Sequence, residues 1–236
     1  MFGNLIYYDK SKIEQYIAYI IGNIDNGNIA SIANQDDTAA NKLIQCSYFE
    51  KLLQQREDYY DFIDYKQEIN IKDIKVSSII KVRGEVQVPE QFDFIKLLDE
   101  YKYEVLSAIN YNDNNNLEKK EILKKVMLNS KIKIPLFCEL GSECDYWLGV
   151  GKLIPDNLLI EYSELEDCEG KEFTILSKIE SRKYYNDKSL PVFNIYKDFL
   201  GLNRAFRKQI KTTKRYEYES IEVEEDYLGL EILAIY

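Results

Sequence analysis

The sequence predicts an α+β protein: a helical N-terminal segment followed by two strand–helix modules with mainly antiparallel sheets. Three observations carry that expectation. Ile13, Tyr16, Ile17, Ile20 and Ile21 follow the i, i+3, i+4, i+7, i+8 period of an amphipathic helix. From Ile69 the period falls to two, and Ile80, Val82, Gly84, Val86 and Val88 alternate as a half-buried strand does. The same alternation returns in Phe173, Ile175 and Ile179, again followed by a proline and an aromatic-rich run. These features divide the chain into residues 1–66, a strand and helical segment, 67–130, a first strand–helix module, and 131–236, a second, strand-rich module.

Taken in order, Leu5 to Asp9 reads as a short strand, and Ser11 with Glu14 fits a capping box for the helix that runs to Gly22. Residues 23–41 are rich in Asn, Asp and Gly and predict a loop. Leu43, Ile44, Tyr48, Phe49, Leu52 and Leu53 give a second helical pattern, extending as far as Ile63. Pro89 ends the first long strand, and Phe92 to Ile109 suggests a helix. Five asparagines between Asn110 and Asn116 mark an exposed linker, and Leu117 to Leu128 a charged helix with an i,i+4 pair at Glu121 and Lys125. Ile132–Phe137 and Tyr146–Leu153 flank a turn at Gly141-Ser142, as in a hairpin. Leu158–Tyr162 reads as a strand, Phe193 to Phe206 as a helix, and Ile221, Val223 and Leu230–Leu233 as closing strands.

Composition excludes more chemistry than any motif supplies. The 236 residues contain no histidine, so there is no imidazole general base, no Ser-His or Cys-His pair and no HExxH site. A formal charge of −10 argues against a global grip on nucleic acid or an anionic membrane. No apolar run reaches membrane-spanning length and no signal peptide is legible, so a cytoplasmic location is expected. Cys46, Cys138, Cys144 and Cys168 are scattered without a CxxC pair and read as reduced thiols rather than zinc ligands. Twenty tyrosines against ten phenylalanines would suit a recognition surface, but A/T-rich codon usage explains them as well.

Two patterns could carry chemistry. Pro155-Asp156 followed by Glu169-Gly170-Lys171 resembles the PD-(D/E)xK signature of Mg²⁺-dependent nucleases. That resemblance implies Asp156 and Glu169 as metal ligands and Lys171 as the group activating water, with Glu118 or Glu121 completing the site. The signature places its E-x-K in a strand, whereas Gly170 here predicts a turn. Arg204, Arg207, Lys208 and Lys211 share one helical face suited to phosphate contacts. The glutamates from Glu217 to Glu225 could neutralise that face within the chain. Gly149-Val150-Gly151 does not extend to a dinucleotide fingerprint and suits a bend or bulge.

Ile6-Tyr7-Tyr8-Asp9 with its following helix, and the terminal Leu230 to Tyr236, resemble the ends of a family of uncharacterised bacterial proteins. The resemblance implies no activity or cofactor, and an association with prophage or phage-defence regions. The expected function is a non-enzymatic cytoplasmic recognition or regulatory protein acting through protein contacts, without cofactor. The alternatives are the Mg²⁺-dependent nuclease and nucleic-acid binding through residues 204–215.

Overall fold

In a computed structural model of the chain, residues 5–22, 38–63, 71–93, 96, 132–142, 145–199, 204 and 220–236 are described. The elements run β1 (Tyr7–Tyr8), α1 (Lys10–Gly22), α2 (Ala39–Leu53), β2 (Tyr59–Asp61), β3 (Ile79–Gln87), β4 (Ile134–Ser142) and β5 (Asp145–Leu153). They continue with α3 (Tyr162–Glu166), β6 (Glu172–Lys183), β7 (Leu190–Asn194), β8 (Ser220–Val223) and β9 (Tyr227–Ile235). Two compact units result. The first comprises Met1–Gln87, Leu136–Tyr184 and Asp226–Tyr236. The second comprises Val88–Pro135 and Tyr185–Glu225.

The first unit is a closed barrel, and this overturns the α+β expectation of a helical segment with two strand–helix modules. β3 pairs antiparallel with both β4 and β6. β4 neighbours β5, β5 runs parallel to β9, and β6 pairs antiparallel with β9. The ring therefore has five strands, joined in chain order 1-2-3-5-4 and back to 1. That order, with a short helix between the third and fourth strands, is the Greek-key connection of an OB-type barrel. Closure removes the exposed edges an open sheet would present. Two bulges bend the strands into the ring, at Leu233 in β9 and Glu180 in β6.

Inside, alternate residues fill the barrel. Leu136, Cys138, Leu140, Ile175, Ile179, Leu228 and Ile235 are fully buried. Three of the alternating positions are glycines, because a five-stranded ring leaves no room for a Cβ there. At Gly84 a Cβ would lie 2.6 Å from the Glu139 carbonyl oxygen, and at Gly149 2.7 Å from Leu230 Cδ1. The Gly149/Gly151 pair is thus a packing device rather than a phosphate loop.

Outside the barrel, α1 and α2 cover β3, β6 and β9. Ile13, Ile17, Ile20, Ile21, Phe49 and Leu53 pack with Ile79, Leu176, Leu233 and Ala234. The expected α1 is present, but Asp9 rather than Ser11 opens it, accepting the Lys12 N–H at 3.1 Å. Glu231 of β9 anchors the helix, taking a hydrogen bond from Tyr16 Oη at 2.5 Å and an ion pair from Lys12 at 2.6 Å. α2 ends at Leu53 rather than persisting to Ile63, since Tyr59–Asp61 pair in parallel with Ile79–Lys81.

The face of α2 that docks is partly polar. Gln45, Cys46, Phe49, Glu50 and Leu53 are buried, while Ile44 is 58% exposed. Tyr8 Oη donates to Gln45 Oε1 at 3.0 Å. Lys81 Nζ lies 2.9 Å from Glu50 Oε2 and 3.5 Å from Asp61 Oδ2. Tyr236 donates its hydroxyl to Glu50, and burial followed by the Glu50 charge pushes that phenol's pKa well up.

Other expectations shift locally. Ile71–Asp73 is a 3-10 turn rather than a strand. Leu158 makes only a single bridge, to Tyr7, and the chain then enters α3 through a Glu161/Glu164 capping box. In the second unit, Phe193 and Asn194, expected to open a helix, instead end the strand Leu190–Asn194 because it pairs with β8. A π-helical turn, Ile195–Phe199, follows it. There Phe193 and Phe199 meet edge-on at 5.5 Å. The helix expected over 117–128 lies outside the described residues.

Gly84→Ala forces a methyl onto a backbone carbonyl and costs about 1–3 kcal/mol in urea unfolding. Gly22→Ala, with nothing among the described residues within 4 Å of the new Cβ, is neutral or stabilising by up to about 1 kcal/mol. Burial raises the Glu231 pKa, but Lys12 and Tyr16 outweigh it and leave the carboxyl below its ordinary 4.5. A lowered native pKa means the anchor contributes fully above pH 4.5 and is lost as pH falls through the native value. Unfolding midpoints measured from neutral pH to about pH 3 will therefore fall less steeply in Glu231→Gln than in the parent.

Candidate functional site

At the end of β6 the chain leaves the barrel through Arg182-Lys183-Tyr184. The Arg182 guanidinium lies 5.7 Å from the centre of the Trp147 ring, at the start of β5. Its Nη2 donates to the carbonyl oxygens of Ile71 at 2.9 Å and Ile74 at 2.6 Å. One cation thus ties the 71–73 turn, β5 and β6 together. Trp147 is 2% exposed, whereas Tyr184, edge-on to it at 6.1 Å, is 58% exposed. The result is a solvent-facing tyrosine braced against a buried aromatic, beside the exposed Lys183. Such a group offers contact area and a hydroxyl at little entropic cost.

The outer surface of the same barrel carries a different charge. Glu85 of β3 faces Glu139 of β4 on one side and Glu172 of β6 on the other. All three are exposed. Arg83 approaches Glu172 at 3.5 Å, with both side chains more than half exposed, a contact worth little in water. Like charges in directly opposed positions repel, and the row would repel phosphate in the same way.

The residues of the nuclease-like pattern all fall in the connection between β5 and β6. Asp156 sits, exposed, in the 3-10 turn Pro155–Asn157. That turn clamps β1: the Ile154 N–H reaches Tyr7 Oη at 3.4 Å and the Leu159 N–H reaches the Ile6 carbonyl at 2.9 Å. Burial and then the Asp9 charge, against the opposing bond to Asn157, push the Tyr7 phenol up to about 12. Glu169 and Lys171 follow α3, with Gly170 between them at φ +69°, so the E-x-K lies in a turn and outside a strand. Among the described residues no three carboxylate or thiolate groups gather as a metal site. Glu118 and Glu121 lie outside the described residues.

Of the basic face, Arg204 is helical and exposed, while Arg207, Lys208 and Lys211 lie outside the described residues. Cys46 and Cys138 are buried and Cys168 is half-buried; burial raises all three thiols, which disfavours the reactive thiolate. Cys144 lies outside the described residues. No helix among the described residues is long and apolar enough to cross a membrane.

No family model, curated protein or solved structure matches the chain. The site rests on its geometry alone.

Sequence reasoning passed over Arg182 to Tyr185. Two cations followed by two tyrosines, at the end of an alternating run, was the available signal. Arg182→Met removes both carbonyl bonds from the 71–74 turn and costs about 2–3 kcal/mol. Faster amide exchange confined to residues 71–78 is the accompanying signature.

Proposed function

We propose that the chain is a non-enzymatic recognition protein that works in the cytoplasm by docking onto another protein. The observation that carries this reading is where the barrel has grown. The β3–β4 and β6–β9 connections, which in barrels of this order flank the ligand face, supply the second unit apart from Ile134 and Pro135 at the start of β4. A scaffold that keeps its ring and enlarges those two connections is elaborating contact surface. The glutamate row on the barrel favours a protein with a basic face over a phosphate backbone. Fold order is an analogy and does not name the ligand. A place in phage defence is the context suggested by the resemblance of the two chain ends.

A second reading, single-stranded nucleic acid, has its own observation: exposed Tyr184 beside Lys183, a stacking ring next to a cation. The Arg204, Arg207, Lys208 and Lys211 segment belongs to that reading. The Mg²⁺-dependent nuclease remains a third, tested through Asp156, Glu169 and Lys171.

One set of measurements separates them. Full-length protein used as bait is expected to retain a protein partner whose affinity falls about ten-fold in Glu85→Lys/Glu139→Lys. Oligonucleotide binding that weakens steeply with salt and is lost in Tyr184→Ala favours the second reading instead. Cleavage of DNA or RNA with Mg²⁺, abolished by Asp156→Ala and Lys171→Ala, would overturn the docking reading altogether.

A further inference from the structure

α2 presents two competing faces to the barrel. One stripe is Ile44, Tyr48 and Leu52, of which Tyr48 and Leu52 pack half-buried against the core and Ile44 is left outside; its neighbour contains Gln45, Cys46, Phe49, Glu50 and Leu53. Hydrophobic burial alone would turn Ile44 inward and leave Gln45 and Glu50 in water. The structure does the reverse. Gln45 is 6% exposed and Glu50 9%, while Ile44 is 58% exposed.

The partners of the buried polar groups come from outside the helix. Glu50 meets Lys81 of β3 at 2.9 Å and accepts from the Tyr236 hydroxyl at the end of β9. The Cys46 thiol, on α2 itself, approaches the same carboxylate at 3.9 Å. Lys81 is shared with Asp61 of β2 at 3.5 Å, and Asp61 also takes the Ile63 N–H at 2.9 Å and the Tyr59 hydroxyl at 3.4 Å. A turn earlier on α2, Gln45 accepts from Tyr8 of β1 at 3.0 Å. β1, β3 and the residue after β9 thus each offer a polar group to the same face of α2, with Asp61 of β2 behind Lys81.

We propose that the Glu50–Lys81–Asp61 network, together with the Gln45–Tyr8 bond, is a rotational register that selects which face of α2 docks on the barrel. A buried ion network adds little net stability compared with apolar groups of similar size, because desolvation offsets its attraction. Its effect is on the alternatives. Rotating α2 by one residue, about 100°, would bury Ile44 but draw Glu50 away from Lys81 and Tyr236, and Gln45 away from Tyr8. Losing those buried bonds makes that state costly. The apolar cluster of α1, α2 and the outer strands holds the helix down, and the polar network fixes its angle.

The test reads the exposure of position 44. Ile44→Cys is introduced with Cys144→Ser and Cys168→Ser, leaving Cys46 and Cys138 as buried thiols, and its reaction with a maleimide is timed. In this background the thiol is expected to label rapidly in one phase. In the triple variant Glu50→Gln/Lys81→Met/Asp61→Asn, which adds no apolar side chain to the inward face of α2, the helix is free to turn position 44 inward. Labelling is then expected to slow roughly ten-fold or more, or to split into two phases. An unchanged single rate in a folded triple variant overturns the proposal. Should circular dichroism show that variant unfolded, Gln45→Ser/Glu50→Gln decides, since Lys81 stays paired with Asp61 and the inward face gains no apolar side chain. Slower or biphasic labelling there supports the register, and the parent rate overturns it.

Discussion

The whole of the first unit depends on one strand serving two neighbours. β6 pairs with β3 from Glu172 to Lys178 and with β9 from Ile175 to Lys183. If either ladder were absent, the sheet would be open and its edges unpaired. Closing so small a ring has consequences that reach the ends of the chain. β3 pairs with β4 only from Gly84 onward, and β9 meets β5 only over Tyr227–Gly229. The remaining halves of those strands, Ile79–Lys81 and Ala234–Ile235, would be bare edges. β2 covers the first and β1 the second. The N-terminal segment is therefore required by the barrel, which explains why helices and strands alternate at the start of a β protein.

Local periodicity made most strands legible. The alternation of Ile80–Val86 and of Phe173–Ile179 is what a half-buried strand looks like. Those two echoing runs turn out to be direct partners, with Val82 opposite Ile175. What no local pattern contains is the pairing itself, since ring closure joins segments close to a hundred residues apart in sequence. The misread elements fail for the same reason. Tyr59–Asp61 and Phe193–Asn194 carry residues compatible with helix, and each lies in a strand because a partner lies alongside. In α2 the helix itself was legible but its buried face was not. The apolar position Ile44 invited burial, yet Gln45 and Glu50 took inner places, where they meet Tyr8 and Lys81.

The site was less legible than the fold. Asp156, Glu169 and Lys171 match a spacing, but spacing along a chain says nothing about where a 3-10 turn and a glycine at positive φ send each side chain. Trp147 and Arg182 lie 35 residues apart and meet only because β5 and β6 both flank β9. Their approach is a product of closure, so it could not be read before the ring was known. The exposed tyrosine they support could have been noticed from composition alone, as the one place where consecutive cations precede consecutive tyrosines.

In the proposed docking reading, charge is what distinguishes the kinds of surface this scaffold offers. A β-strand exposes every second residue, so the chain had free choice at Glu85, Glu139 and Glu172 without touching the core. Placing glutamates at all three forfeits a few tenths of a kcal/mol per opposed pair, where alternating signs would have been favourable. The Arg83 contact recovers little of that because both groups are solvated. A cost accepted on an otherwise unconstrained face is easier to understand if the repulsion is relieved by something that binds there. A cationic protein surface relieves it, whereas a nucleic-acid backbone would deepen it. The cation–aromatic corner at Lys183 and Tyr184 carries the opposite sign, so ligands of the two charges would sort to different faces of one barrel.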